Sequence, residues 1–194
     1  MNVDLFSNEK KIHPIARNKN SGQAAVFFDR DGVLNLDTGY PHLPDEIILV
    51  DGAAEAVAMA KRNGYLTIVV TNQSGVARGF FNEKDVDLFN YALARRLACY
   101  GGIIDRFYVC PYHPDASIEA YRSDHPDRKP HPGMIKRAMA DFRIDPQYSF
   151  LVGDKITDLQ AAEAAGIAGH LFSGGNLSSF LSPLLVSLPH GRQS

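Results

Sequence analysis

Short apolar runs alternate with amphipathic stretches along the whole chain. Residues 24–28 (AAVFF) form an uninterrupted apolar run that stops at Asp29, the pattern of a buried strand. Residues 51–63 carry Ala54, Val57, Ala58 and Lys61 at helical spacing, with Gly64 as the stop. A second strand is expected over 65–71 (YLTIVVT). Asn82 can cap a long helix that places Val86, Phe89, Leu93 and Leu97 on one face. Further strands are expected over 104–109, 149–152 and 167–172. Helices are expected over 132–142, where proline suits the first turn, and over 157–165, stopped by Gly166. Strand and helix alternate, so the order predicts βαβ units and a mostly parallel sheet.

Two stretches break the rhythm. Residues 32–50 hold Gly39, Pro41 and Pro44, and residues 110–132 hold five prolines. Loops of this length inside a compact domain are usually functional or disordered. Both start where a strand ends, at the edge where open α/β sheets bind ligands.

Composition narrows the classes. A chain of 194 residues suits one domain with modest insertions, and it buries enough surface to fold without a disulfide or structural metal. Twenty Lys and Arg stand against 22 Asp and Glu, for a net charge of -2, so general basicity gives no argument for nucleic-acid binding. Two cysteines, Cys99 and Cys110, build no disulfide framework. Cys99 falls within the long helix and is expected to be buried. No apolar run reaches membrane-spanning length. Residues 1–22 lack the apolar stretch of a secretory signal, so a loosely ordered lead-in and cytoplasmic residence are expected. Nothing demands an oligomer, and a monomer is expected.

Chemistry-bearing residues cluster at strand ends. Asp29-Arg30-Asp31-Gly32 leaves the first strand directly. Two carboxylates at i and i+2 can approach one ligand, one attacking an electrophile and the other trading protons. A carboxylate can carry a phosphoryl group as an acyl-phosphate, which divides hydrolysis into two easier steps. Asp-Gly is also a common turn pair. Thr71-Asn72-Gln73-Ser74-Gly75 leaves the second strand, where a hydroxyl and backbone N–H groups can hold phosphate oxygens. Lys129, in Arg128-Lys129-Pro130, can add a point charge, although such a pair is also ordinary solvated surface. Gly153-Asp154-Lys155-Ile156-Thr157-Asp158 closes the fourth strand. Asp154 with Asp29 would make a hard, oxygen-rich site suited to Mg²⁺. Asp158 reads either as part of that site or as a helix-start carboxylate favoured by the dipole.

In this order the four motifs resemble those of the haloacid dehalogenase (HAD) superfamily of aspartyl-phosphate phosphatases, over residues 24 to about 172. The resemblance implies a doubly wound α/β fold without a large cap domain. A lead-in over 1–22, a phosphatase domain over 23–175 and a tail over 176–194 follow, with 32–50 as a small flap and 110–132 as a second lid. It implies Asp29 as nucleophile and Asp31 as general acid/base, with the Asp31 carbonyl on Mg²⁺. Thr71 and Lys129 would hold phosphoryl oxygens, Asp154 would complete the metal site, and Asp158 and Lys155 would support it. Phe28 to Asn35, Arg78-Gly79, and Pro132-Gly133-Met134 are similar to the branch of heptose bisphosphate and histidinol phosphatases. Gly39-Tyr40, Asp51-Gly52 and the run from Cys110 to Pro114 fit the heptose side better.

On that branch the implied substrate is a small phosphorylated sugar, with removal of the C7 phosphate of a heptose 1,7-bisphosphate. Histidinol phosphate is the alternative. Arg128 would read the part not transferred, and Asn72, Gln73, Ser74 and Arg78 become substrate contacts, with Arg78 equally readable as surface. A nucleic-acid end phosphatase and a non-catalytic phosphate binder are the rivals; balanced charge opposes the first and the filled catalytic positions oppose the second.

The chain departs from the branch at one place. Its Cys-x-His…Cys-x-Cys zinc pattern keeps only Cys110, since Tyr112 and the run His125-Pro126-Asp127 stand at the other positions. Zinc is therefore not expected, and a loop held by prolines, Tyr121 and hydrogen bonds is. A replacement set of Cys110, His113, His125 and Asp127 remains chemically conceivable. His42, His131 and His170 show no partner spacing and are expected to be structural or surface groups.

Overall fold

In the first strand, β1 (Ala25–Phe28), every residue is buried, and the alternation of side chains divides them between two cores. Val26 and Phe28 point into one core, Ala25 and Phe27 into the other. Such two-sided burial is what an apolar strand without polar alternation requires. The computed structural model describes residues 22–185. Most of the expected lead-in, 1–21, and the end of the tail, 186–194, lie outside the described residues.

The chain runs β1, α1 (Ala53–Arg62), β2 (Leu66–Asn72), α2 (Ser74–Ala77), α3 (Glu83–Ala98), β3 (Arg106–Cys110), α4 (Gly133–Phe142), β4 (Phe150–Gly153), α5 (Ile156–Ala165), β5 (Ala168–Leu171) and α6 (Leu177–Leu181). The five strands pair in parallel in the order β3-β2-β1-β4-β5. Chain order reverses between β1 and β4, so the carboxyl ends of these strands flank the crevice that such sheets use for ligands. This is the parallel sheet that the alternation predicts and the doubly wound α/β fold that the resemblance implies, with element ends shifted by a residue or two.

Helices α1, α3 and α6 cover one face; α4 and α5 cover the other. Asn82 caps α3 by accepting from the amides of Lys84 and Asp85, while the Asp85 carboxylate accepts from the Asn82 amide. Val86, Phe89, Leu93 and Leu97 are buried along α3 as their spacing predicts. Cys99 is exposed, contrary to expectation: it caps the helix two residues past Leu97, off the apolar stripe. The chain also stays in the core beyond residue 175. Asn176 caps α6, and Leu177 and Leu181 are fully buried against the α1 face. The first residues of the expected tail thus pack locally, with two leucines one helical turn apart buried in this core.

Residues 32–50 form a small flap. The Leu36 amide donates to the Ile48 carbonyl and the Val50 amide to the Leu34 carbonyl, while Arg96 of α3 grips the Ile47 and Pro44 carbonyls. Among the described residues no helix is long and apolar enough to cross a membrane.

Candidate active site

The carboxyl ends of β1, β2 and β4 open into a cavity of about 490 Å³. Asp29, Asp31, Thr71, Asn72, Gln73, Ser74, Arg128, Lys129, Lys155 and Asp158 line it, together with Asp37, Gly39, Tyr40 and Pro41 of the flap and Thr157. All the sequence-predicted site residues except Arg78 and Asp154 thus face one space, and Asp154 joins it through its neighbours.

Asp29 is held at the switch point by its own amide, which donates to the Val152 carbonyl of β4 at 2.9 Å. Its Oδ1 accepts from the Arg30 amide and lies 2.8 Å from Lys129 Nζ. The same ammonium lies 2.6 Å from Asp158 Oδ1 and donates to the Val70 carbonyl at 2.9 Å. Lys129 is only 4% exposed, so the charge needs these partners. Burial alone would depress the Lys129 pKa, but Asp29 and Asp158 carry it above its ordinary value. For Asp29 the balance goes against the charged form. Burial pushes its pKa up to about 7, opposed by Lys129 and reinforced by Asp158.

One oxygen each of Asp29, Asp154 and Asp158 lies within 4.8 Å of the others. Asp154 is raised by burial, against the pull of Lys155, and its buried Oδ1 has no hydrogen-bond partner among the described residues. Crowded carboxylates with an orphan oxygen make a hard donor set that fits Mg²⁺. Two glycines permit the crowding. A Cβ on Gly32, whose φ is +88°, would fall 2.3 Å from Asp154 Oδ2, and one on Gly153 would fall 2.2 Å from Asp158 Cβ.

Asp31 lines the same cavity but bonds to a different set of partners. Its carboxylate accepts two bonds from Arg30, one from Asn35 Nδ2 and one from Gln73 Nε2. Gln73 also donates to Thr71 Oγ1. Sequence reading assigned no role to Arg30 or Asn35. Arg30 is fully buried, lies over the Phe89 ring at 4.2 Å, and reaches Asn90 and the Pro41 carbonyl of the flap. Its only sequence signal is an arginine placed between two carboxylates at a strand exit. Asn72 and Gln73, expected to touch substrate, have their amides engaged inside the protein. Asn72 Oδ1 accepts from the Lys129 amide, and its Nδ2 donates to the Lys129 carbonyl. Lys155 bridges Asp37 of the flap, at 3.1 Å, and Asp154, at 3.9 Å.

Arg78 stands outside the cavity lining, with Nη2 3.5 Å from His113 Nε2. Arg128 lines the cavity, and burial and the nearby Arg78 charge weigh against its cation. Cys110, His113, His125 and Asp127 do not assemble as metal ligands. Burial pushes the Cys110 thiol up to about 11. His113 Nδ1 accepts from Asp115, His125 Nδ1 accepts from the Asp127 amide, and Asp127 pairs with Arg137 at 3.1 Å. Both Nδ1 atoms and the Asp127 carboxylate thus have protein partners, and these four residues are not among the described groups whose ligand atoms lie close enough together to hold a metal ion. His42 stacks on Phe81, and His131 pairs with Asp124 at the surface.

Comparison with known proteins agrees with this layout. The HAD-hydrolase-like family model matches residues 127–179. A D-glycero-beta-D-manno-heptose-1,7-bisphosphate 7-phosphatase of Photorhabdus laumondii is 44% identical over 146 residues, covering 75% of this chain and 78% of that protein. A HAD-like phosphatase structure from Mesorhizobium loti superposes with a TM-score of 0.79 at 39% identity, covering 88% of each chain. The D,D-heptose 1,7-bisphosphate phosphatase of B. bronchiseptica, solved with magnesium and phosphate, superposes with a TM-score of 0.71 at 34% identity, covering 87% of this chain and 90% of that one. This degree of identity, carried across three quarters of the chain on the same fold, means that the chain belongs to the HAD superfamily of phosphatases, on the branch of the heptose bisphosphate phosphatases.

Proposed function

We propose that this phosphatase removes the C7 phosphate of D-glycero-D-manno-heptose 1,7-bisphosphate through a phosphoryl group carried on Asp29. The observation that carries the reading is the placement of Asp29 and Lys129, 2.8 Å apart, in one cavity with Arg128. A carboxylate beside an ammonium can receive a phosphoryl group, and a guanidinium across the same space can hold a second anionic group.

An Asp29 carboxylate oxygen attacks phosphorus, and the bond from phosphorus to the C7 oxygen breaks. Asp31 gives its proton to the departing alkoxide. Asp31 then takes a proton from water as the water oxygen attacks the same phosphorus, releasing phosphate and restoring the Asp29 carboxylate. Lys129 and the Thr71 hydroxyl hold phosphoryl oxygens. Arg30, Asn35 and Gln73 hold the Asp31 carboxylate in the resting site, and it must leave the Arg30 fork and take up a proton before it acts as the acid. Mg²⁺, held by Asp29, Asp154 and the Asp31 carbonyl with Asp158 in support, would offset the repulsion between an anionic nucleophile and an anionic substrate. The magnesium in the B. bronchiseptica relative supports this assignment.

Phosphate release is to be measured with Mg²⁺ on both anomers of the heptose bisphosphate, on histidinol phosphate and on a 3′-phosphorylated DNA end, with Asp29→Asn as control. Preferential turnover of one heptose anomer is expected. Comparable turnover of all substrates would overturn the substrate assignment, and wild-type rates no higher than those of Asp29→Asn would overturn the mechanism.

A further inference from the structure

In the 110–132 loop two rings lie face to face. Tyr112 and His125 have centroids 4.1 Å apart and planes 6° from parallel, with Tyr121 tilted against Tyr112 at 5.8 Å. Both stacked residues also hold Arg128 through their backbones. Arg128 Nη1 donates to the Tyr112 carbonyl at 3.2 Å, and the Arg128 amide donates to the His125 carbonyl at 2.9 Å. The stack thus joins the two strands of chain between which the guanidinium is suspended. Its surroundings fix it further. The Asp127 amide donates to His125 Nδ1, and Tyr121 Oη donates to Glu83 of α3 at 2.8 Å.

The neighbouring residue is held by different means. Lys129 is clamped at both its amide and its carbonyl by Asn72, at the end of β2, and its side chain ends among Asp29, Asp158 and the Val70 carbonyl. Phosphoryl-holding Lys129 is therefore tied to the sheet, and Arg128 is tied to the loop.

We propose that Tyr112 and His125 are positioning residues that set the specificity of the enzyme: their stack holds Arg128 toward the part of the substrate that is not transferred. The inference rests on the reading of Arg128 as that contact. Parallel aromatic pairs contribute modestly but directionally, and a displaced guanidinium loses its second anion while the reacting phosphate stays in register.

The test compares the full-length, Mg²⁺-loaded enzyme with Tyr112→Ala, His125→Ala, Tyr112→Phe, His125→Phe and Arg128→Ala. Substrates are heptose 1,7-bisphosphate and p-nitrophenyl phosphate, which has no second anionic group. The alanine variants at 112 and 125 are expected to raise KM for the bisphosphate about five- to tenfold, with little change in kcat and none in p-nitrophenyl phosphate turnover. The phenylalanine variants keep two flat rings and are expected to restore KM. Unchanged bisphosphate KM in the alanine variants, or equal losses on both substrates, would overturn the inference. If Arg128→Ala itself leaves the bisphosphate KM unchanged, the reading of Arg128 fails instead. Should Tyr112→Ala not fold, His125→Ala, whose ring is partly exposed, carries the comparison alone.

Discussion

Lys129 Nζ lies 2.8 Å from Asp29 Oδ1 and 2.6 Å from Asp158 Oδ1, so one buried ammonium joins two carboxyl groups. Removing it leaves two buried carboxyl groups with no cation between them. Lys129→Met is expected to cost about 3–5 kcal/mol in urea unfolding, with phosphatase activity lost. The double variant Lys129→Met, Asp158→Asn removes one of the two carboxyl groups and is expected to regain part of the stability without activity. A double variant no more stable than the single one would show that the pairing contributes little.

Asp154 presents the opposite balance. Its Oδ1 is buried without a hydrogen-bond partner, and burial raises its pKa. Asp154→Asn removes a crowded charge, so the metal-free protein is expected to melt at an equal or higher temperature than wild type. Phosphate release should fall by at least about a hundredfold, because the carboxylate set is incomplete. Calorimetry in EDTA and an assay in Mg²⁺ check the two halves; a marked loss of melting temperature would show instead that Asp154 supports the fold.

Gly32 tests the crowding geometrically. Its φ of +88° disfavours any other residue, and an added Cβ would meet Asp154 Oδ2 at 2.3 Å. Gly32→Ala is expected to destabilise by about 1–2 kcal/mol and to weaken Mg²⁺ activation, seen as a higher Mg²⁺ concentration at half-maximal rate. Normal Mg²⁺ activation would mean that Asp154 can move aside freely.

The two thiols should differ sharply. Cys99 is exposed, whereas Cys110 is fully buried and burial pushes its pKa up to about 11 from 9.0. Only the thiolate reacts, and folding keeps Cys110 protonated between about pH 9 and 11, where an unfolded cysteine would ionise. With Ellman's reagent at pH 8, one fast thiol is expected, absent in Cys99→Ser, and the second should appear only in denaturant. By linkage the Cys110 contribution to stability falls as pH rises from about 9 to 11, since the native state binds the extra proton. Rapid reaction of both thiols in the native protein would contradict the burial.

Arg30 connects Asp31, the proposed acid/base group, to the flap, through the Asp31 carboxylate on one side and the Pro41 carbonyl on the other. Arg30→Lys keeps the charge but cannot make the forked contact. It is expected to lower kcat about tenfold or more and to make the flap more open to proteolysis near residue 41. Unchanged kcat with wild-type proteolysis would place Asp31 under the control of Asn35 and Gln73 alone.

Much of the molecule is legible along the chain because its determinants are local. The apolar strands each end in a chemically distinctive motif, and helix stops and caps such as Gly64, Asn82 and Gly166 act within a few residues of themselves. That suffices for strand order in the sequence, for the parallel sheet, and for Asp29, Thr71 and Asp154 at one edge, whereas the place of Lys129 beside them was implied only by the family resemblance. What depends on residues far apart was not legible. Asn72 and Gln73 sit in a phosphate-loop pattern, yet their amides meet partners 57 and 42 residues away. Arg30 meets Asp31 locally but reaches Asn90, Phe89 and the Pro41 carbonyl only when α3 and the flap close over it. The Tyr112 and His125 stack, the exposure of Cys99 and the docking of α6 are likewise decided by which surfaces meet, because packing and desolvation act between elements that local patterning describes one at a time.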